Sequence, residues 1–185
     1  MALPFQDKRD DDGHAEVTLI FAKKLVEIEK GDGDIIVPAI ILHDTGWSRV
    51  PREEWIRIFD IKMSKEERIP LQLKHQKESV KIAREILGKT KYPKDLAREI
   101  LEIISQHDTR KVFISKNEGL VRDADKLWRF SKIGFGKDIK RFDVLPADLC
   151  GKLEKDIEKE GFFYSSGAKN LAREELTERK KEYAI

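Results

Sequence analysis

The spacing of the hydrophobic residues predicts a chain built almost entirely from helices. Between about residues 12 and 29, apolar side chains recur at the spacing of one helical face, at Val17, Ile20, Phe21, Leu25 and Ile28. The same spacing is present over residues 73–87 and 96–104. Residues 35–43 are apolar nearly all round, which predicts a short helix in the centre of the core.

Proline and glycine mark the expected helix ends. Pro70 and Pro93 are predicted to begin helices, and Gly88 to end the first of these. A further helix is predicted over residues 120–130, and Gly134 and Gly136 are predicted to break it. Further charged helices are expected at about 146–160 and 167–183, and the only strand-like alternation, at 111–115, is weak. The pattern therefore predicts an all-α bundle of about seven to nine helices.

Composition narrows the function classes. The chain has 185 residues, which fits one domain over residues 1–185. Its net charge of only +2, with 39% charged residues, argues against extended nucleic-acid binding. The longest apolar run, 35–42, is too short to span a membrane, and the polar segment 1–12 is unlike a signal peptide. The single cysteine, Cys150, cannot form an internal disulfide, which favours a reducing, cytoplasmic location.

The placement of the four histidines suggests a metal site. His14 opens the first amphipathic segment, and His43 is followed at once by Asp44 at the end of the apolar run. His75 lies near the start of one helical pattern, and His107 at the end of the next. Imidazoles and carboxylates bind divalent transition metals and allow them to activate water. This ligand mixture suits iron, manganese, zinc, nickel or cobalt, as one or two ions.

This order of residues resembles the HD-domain metal-dependent phosphohydrolase superfamily. The matching motifs are His14, the pair His43-Asp44 within Ile-Ile-Leu-His-Asp-Thr-Gly, and Asp125 within Ala-Asp-Lys-Leu. The resemblance implies an HD-domain helical bundle with a motif core of about residues 12–130, onto which the helices of residues 131–185 pack. It also implies that His14, His43, Asp44 and Asp125 bind one metal ion.

The resemblance leaves two roles open for His75 and His107. In some branches of the superfamily the corresponding histidines bind a second metal, and in others they contact the substrate phosphate. The chain lacks the Gly-Tyr-Pro motif of the cyclic-dinucleotide phosphodiesterases, and its layout fits the symmetric diadenosine-tetraphosphate hydrolases better. Either role makes both histidines catalytic candidates together with Asp44.

Several charged residues near these motifs are candidates for the phosphate or for the last ligand. Arg110 is the strongest phosphate-binding candidate and a predicted catalytic residue, because it lies three residues past His107. The other candidates for phosphate contact are Arg49, Lys111, Lys126 and Arg129. Asp123 competes with Asp125 as the last ligand, with a helix cap or an outer-sphere partner as its alternative role.

Three functions from different classes follow from these observations. The first is a phosphohydrolase that uses metal-activated water on a phosphomonoester, a nucleotide or a dinucleoside polyphosphate. The second is a non-catalytic HD module that binds or regulates, and the third is a di-iron oxygenase of the HD type. The expected partner is a small phosphorylated substrate, in particular a nucleotide, and not a membrane. The charged C-terminal helix is expected to face solvent, with a homodimer contact as its alternative.

Overall fold

The structure is a computed structural model that describes residues 1–60 and 62–185, and nine α-helices lie within them. The helices are α1 (His14–Glu29), α2 (Gly33–Leu42), α3 (Arg52–Trp55), α4 (Lys65–Lys89), α5 (Lys94–Ser105), α6 (Lys116–Leu127), α7 (Lys132–Phe142), α8 (Pro146–Glu158) and α9 (Ser166–Tyr183). No strand occurs in this described part of the chain. The predicted all-α bundle is therefore confirmed, and the weak strand pattern at 111–115 was wrong.

The apolar helix α2 lies in the centre of the bundle. It packs against α1, α5 and α6, and its residues Ile36 and Ala39 are fully buried. Helix α4 packs against α5 and against the short 3₁₀ turn Thr45–Arg49 that follows α2. Helix α9 packs on α6 and α8. This arrangement brings the C-terminal ends of α2 and α5, the middle of α4 and the start of α1 to one side of the core.

Pro38 sits inside α2 without leaving a carbonyl unpaired. A proline has no N–H, so the carbonyl of Asp34, four residues earlier, loses its helical partner. The hydroxyl of Tyr92 donates a hydrogen bond to this carbonyl at 2.6 Å. The connection between α4 and α5 therefore stabilises the central helix at its weakest point.

Two predicted helix boundaries were wrong for identifiable reasons. Helix α4 begins at Lys65 and not at Pro70, because Ser64 and Glu67 form a capping box in which each side chain accepts from the other's backbone N–H. Gly134 lies within α7 and does not break a helix. A β-carbon at Gly134 would lie only 2.0 Å from the carbonyl oxygen of Trp128, so glycine is required there for close packing.

A membrane-spanning segment is not found among the described helices, none of which combines the necessary length with sufficient hydrophobicity.

Candidate metal centre

The side chains of six sequence-predicted residues converge on one side of the core. His14 is the first residue of α1, His43 and Asp44 directly follow α2, and His75 lies in the middle of α4. The set is completed by His107, just after α5, and Asp125, in α6. The four imidazoles are at most 4% exposed, whereas the carboxylates of Asp44 and Asp125 retain 16% and 27% exposure. The site is therefore a buried set of ring nitrogens with two carboxylates at its opening.

One half of the site is formed by His14, His43, Asp44 and Asp125. The Nε2 atom of His14 lies 3.0 Å from Oδ1 of Asp125, and Nε2 of His43 lies 3.3 Å from the same oxygen. Asp44 Oδ2 lies 3.7 Å from His43 Nε2. The ligand atoms of His14, His43 and Asp44 all lie within 4.8 Å of one another, which is close enough to hold one ion.

The other half of the site uses the opposite oxygen of Asp44. Oδ1 of Asp44 lies 3.3 Å from Nε2 of His75 and 3.3 Å from Nε2 of His107. The two imidazole nitrogens are themselves 3.3 Å apart. Asp44, His75 and His107 form a second group compact enough for an ion. Asp44 is thus shared between the two groups.

Backbone carbonyls orient two of the imidazoles. Nδ1 of His43 donates to the carbonyl of Ile40 at 2.7 Å, and Nδ1 of His107 donates to that of Ile104 at 2.9 Å. Because a carbonyl only accepts, the proton of each neutral ring lies on Nδ1 and the lone pair of Nε2 faces the centre. A ligating histidine in proteins is held in this way.

The electrostatics of the site favour a cation. Burial lowers the pKa of His43, but the neighbouring Asp44 and Asp125 outweigh it and raise that pKa to about 10. Burial raises the pKa of Asp44, whereas His43 and Arg9 hold it well below its ordinary value. Burial also raises the pKa of Asp125, but His14 and His43 hold it well below its ordinary value. Both carboxylates therefore remain charged, and the potential that attracts a proton to His43 also attracts a metal ion.

The turn after Asp44 requires glycine. A β-carbon at Gly46 would lie 2.0 Å from the carbonyl oxygen of His75 and 2.4 Å from the backbone nitrogen of Ser79. The Gly46 N–H donates to the hydroxyl of Ser79 at 2.8 Å. This contact presses the His43-Asp44 segment against α4, which brings His75 within reach of Asp44.

Three residues of the site were not among the predicted ligands. Arg9 Nη2 donates to Asp44 Oδ2 at 3.2 Å, and nothing in the sequence around Arg9 indicated this. Asp108 Oδ2 lies 3.6 Å from His75 Nε2; its signal was a second His-Asp pair at 107–108. Trp47 stacks on His75 and is 1% exposed.

The structure separates the two competing aspartates. Asp125 lies beside His14 and His43, whereas Asp123 is fully buried and accepts hydrogen bonds from the N–H groups of Tyr164 and Ser165, both at 2.8 Å. Burial raises the pKa of Asp123, and these donors act in the opposite direction. Asp123 thus holds the segment before α9 against α6.

Arg110 is placed differently from the sequence-based expectation. Its Nη2 atom pairs with Glu102, and its Nε lies 3.0 Å from the fully buried carboxylate of Glu118. Within the described residues no hydrogen bond or ion pair links Arg110 to the six converging side chains. Its position corrects its predicted role as a phosphate-binding catalytic group, because its guanidinium is already held by two glutamates. Arg49 is likewise paired, with Glu78 and Glu85.

A cavity of about 240 Å³ opens beside the site, and we call it the entrance cavity. Its walls include His14, three carboxylates and five cationic side chains; the carboxylates are Asp11, Asp125 and Asp138, and the cations are Arg9, Arg68, Lys126, Arg129 and Arg141. Lys126 and Arg129 were sequence-based candidates for phosphate contact, and Lys111 is not in this wall. A cavity with an excess of positive charge beside a carboxylate–imidazole centre is chemically suited to a phosphate group.

The donor set fits a divalent transition metal. It combines imidazoles with two charged carboxylates, the mixture that iron, manganese, zinc, nickel and cobalt accept. A family model for the HD domain matches residues 12–129, which contain all six side chains. Neither the curated proteins nor the solved structures include a significant match to the chain.

Proposed function

The chain belongs to the HD domain family, and on that premise we propose that it is a metal-dependent phosphohydrolase acting on a small phosphate ester, with nucleotides as the expected class. The observation that carries this proposal is the shared carboxylate of Asp44. One of its oxygens faces His43 and the other faces His75 and His107. Such sharing suits a centre for two ions, and a two-ion centre is typical of phosphoester hydrolysis.

The residues that would hold the metal fall into two groups. His14, His43, Asp44 and Asp125 would hold one ion, and Asp44 with His75 and His107 would hold the second. A bound metal would lower the pKa of water and stabilise negative charge on phosphate oxygens. The partial exposure of Asp44 and Asp125 leaves this side of the centre open to substrate.

Arg9 is the cation closest to both the centre and the entrance cavity. Its guanidinium contacts Asp44 and lines the cavity together with His14. It packs over the ring of Trp47 at 4.7 Å, which fixes its position. We assign it to bind a non-bridging phosphate oxygen, because a guanidinium offers several donors in a fixed plane.

Asp108 is the carboxylate best suited to take up a proton. Its side chain is 25% exposed, and Oδ2 lies 3.6 Å from His75 and 3.9 Å from His107. A carboxylate at the edge of the centre can accept the proton that the attacking water loses and pass it to solvent. Asp44 is less suited, because both of its oxygens already face imidazole or guanidinium groups.

The location and partners are proposed on simpler grounds. The single cysteine of the chain is buried and cannot form an internal disulfide, which suits a reducing cytoplasm. The near-neutral net charge favours a small phosphorylated partner over nucleic acid or an anionic membrane surface.

Metal content and hydrolysis, measured together, test the proposal. The protein is purified without an affinity tag, its metals are quantified, and it is assayed against phosphomonoesters, nucleotides and dinucleoside polyphosphates. We expect bound transition metal and hydrolysis that Asp44→Asn abolishes. A folded protein that binds metal and hydrolyses none of these esters would overturn the proposal and favour a binding module. A mixed-valent di-iron signature would favour the oxygenase.

A further inference from the structure

A second cavity, of about 750 Å³, runs between the α3 region and α7. We call it the distal groove; its lining residues are Asp10, Arg52, Trp55, Ile56, Phe59, Lys137, Lys140 and Arg141. Four of these are cations and one is an anion, so the groove is strongly basic in a chain whose net charge is only +2. The HD motif accounts for none of the four cations.

The distal groove continues from the entrance cavity. Phe59 and Arg141 line both. The Arg141 guanidinium lies 3.8 Å from the centre of the Phe59 ring, and that of Arg9 lies 5.7 Å from the same ring. Since Arg9 also contacts Asp44, a path lined by guanidinium groups leads from the metal centre into the groove.

The four cations of the groove differ in whether they already pair with acceptor groups of the chain. Lys137 pairs with Asp12, and Arg141 donates to the Asp10 carbonyl and lies beside Asp138. Arg52 and Lys140, both exposed, have no carboxylate within 4.0 Å in the part of the chain that is described. These two side chains are therefore available to an anion from outside the chain.

The aromatic residues of the groove are less available than its charges. Trp55 is only 8% exposed, and one face of Phe59 is covered by Arg141. A base stacked on these rings would have to displace the guanidinium or unpack the tryptophan. Phosphate groups need only reach the cationic ends of Arg52 and Lys140, so a run of phosphates matches the groove better than a base does.

We propose that the distal groove binds the additional phosphate groups of a polyphosphate ester whose reacting phosphate occupies the metal centre. This inference rests on the proposed function and narrows its substrate class. A substrate with several phosphates would contact Arg9 and Arg141 in the path and then Arg52 and Lys140. A monophosphate would leave the groove without a ligand.

Binding of analogues that cannot be hydrolysed tests the groove separately from catalysis. The full-length protein is titrated by calorimetry with methylphosphonate and with the bis(methylene) analogue of tripolyphosphate, which has no P–O–P bond. We expect the triphosphonate to bind more tightly, and the double variant Arg52→Gln/Lys140→Gln to weaken its binding about 10-fold, since two charge-assisted contacts are lost. Binding of methylphosphonate should change by a much smaller factor.

The matched control removes the same charges elsewhere. Lys94 and Arg98 are exposed residues of α5 outside both cavities, so Lys94→Gln/Arg98→Gln should leave triphosphonate binding as in the parent protein. Metal content is measured after each titration, so that loss of metal to the triphosphonate is not mistaken for a groove effect.

Two results would overturn the inference. One is equal affinity of the parent protein for both phosphonates, and the other is equal weakening by the groove and control variants. These results are independent of turnover. If the protein hydrolyses phosphomonoesters but binds the triphosphonate no more tightly than methylphosphonate, the groove proposal is rejected and the proposed function is retained. Triphosphonate binding that depends on the groove, without hydrolysis of any ester, would reject the function alone.

Discussion

Trp47 lies flat against His75, with ring centroids 4.1 Å apart and an interplanar angle of 10°. Its indole Nε1–H also donates to Asp44 Oδ1 at 3.2 Å. Nδ1 of His75 is buried and has no hydrogen-bond partner within the described residues, unlike Nδ1 of His43 and His107. Trp47 therefore orients His75 by stacking, whereas His43 and His107 are oriented by carbonyls, and Trp47 also fixes the shared carboxylate.

Replacing Trp47 should weaken metal binding although Trp47 is not a ligand. Trp47→Leu removes both the stack and the hydrogen bond, and loss of such outer partners typically weakens metal affinity about 10- to 100-fold. Trp47→Phe keeps a ring against His75 and should have a smaller effect. Competition with a chromophoric chelator measures the affinity.

The control for Trp47 is another buried aromatic side chain. Phe130 is fully buried and packs against Phe163, away from the six converging residues. Phe130→Leu should lower the melting temperature and leave metal affinity intact. Equal metal affinity in Trp47→Leu and the parent protein would show that stacking on His75 has no part in the site.

Arg9 should affect turnover and metal affinity in opposite directions. Its positive charge lies 3.2 Å from Asp44, so Arg9→Gln removes a competitor for the metal and should leave metal affinity equal or tighter. The same variant loses a donor to the phosphate, and kcat/KM should fall about 100-fold, as when one donor to a developing charge is removed. Steady-state kinetics and metal titration on the same samples measure both effects.

Two further variants serve as controls for Arg9→Gln: the conservative Arg9→Lys, and Arg84→Gln, which removes a charge elsewhere. Arg9→Lys keeps the charge without the planar set of donors and should recover part of kcat/KM. Arg84 is exposed on α4 and has no ion pair among the described residues, so Arg84→Gln controls for net charge. Loss of metal from Arg9→Gln would mean that Arg9 holds Asp44 in place and does not act on the phosphate.

Asp123 and Asp125, two residues apart, should give opposite phenotypes. Asp125→Ala removes the oxygen that faces His14 and His43 and should abolish binding of one ion. Asp123→Ala should retain metal but lower the free energy of unfolding by about 3 kcal/mol, because the N–H of Tyr164 and the buried N–H and hydroxyl of Ser165 lose their acceptor. Elemental analysis and denaturant unfolding distinguish them; metal loss in the Asp123 variant and not in the Asp125 variant would reverse the assignment.

Arg110 should contribute to stability through Glu118. The Glu118 carboxylate is fully buried, and among the described residues its other partners are the more distant Arg122 guanidinium, at 3.9 Å, and the N–H of Ile114. Arg110→Gln should therefore lower the free energy of unfolding by about 2 kcal/mol, because a buried charge loses its main partner. In Arg110→Gln/Glu118→Gln the losses should be less than additive. Additive losses would show that the two residues do not interact.

The sequence predicted the six converging side chains better than it predicted their neighbours, and the reason is physical. A histidine at the end of an apolar helix is a strong local signal, because an unpaired imidazole–carboxylate pair is costly to bury. His43 and Asp44 carry this signal, the other four residues were predicted from the order of the motifs, and all six converge in the structure. Arg9 approaches Asp44 across 35 residues of sequence, and only the packing of the N-terminal segment over the loop after α2 brings them together.

Two helix boundaries were predicted wrongly because a proline and a glycine were each read as marking a helix end. Pro70 was predicted to begin a helix, but the capping box at Ser64 dominates and the proline lies within α4. Gly134 was predicted to end a helix, but the approach of the Trp128 carbonyl requires a residue without a side chain. Arg110 was assigned to the phosphate from its distance in sequence, and the distant Glu118 could not be foreseen as its partner.

Removing the metal should lower stability as well as activity. The centre brings four imidazole Nε2 atoms and two charged carboxylates within a few ångströms, and a cation that binds only the folded chain stabilises it by mass action. At a free metal concentration about 1,000 times the Kd this is about 4 kcal/mol, or roughly a 10 °C rise in melting temperature for a chain of this size. Scanning calorimetry before and after chelation, and after metal is restored, measures the shift. Asp44→Asn, which lacks the shared carboxylate, should respond far less to the chelator. The parent protein could instead have the same melting temperature before chelation and after its metal has been shown to be removed. That result would mean that binding of an ion to the six side chains does not stabilise the fold.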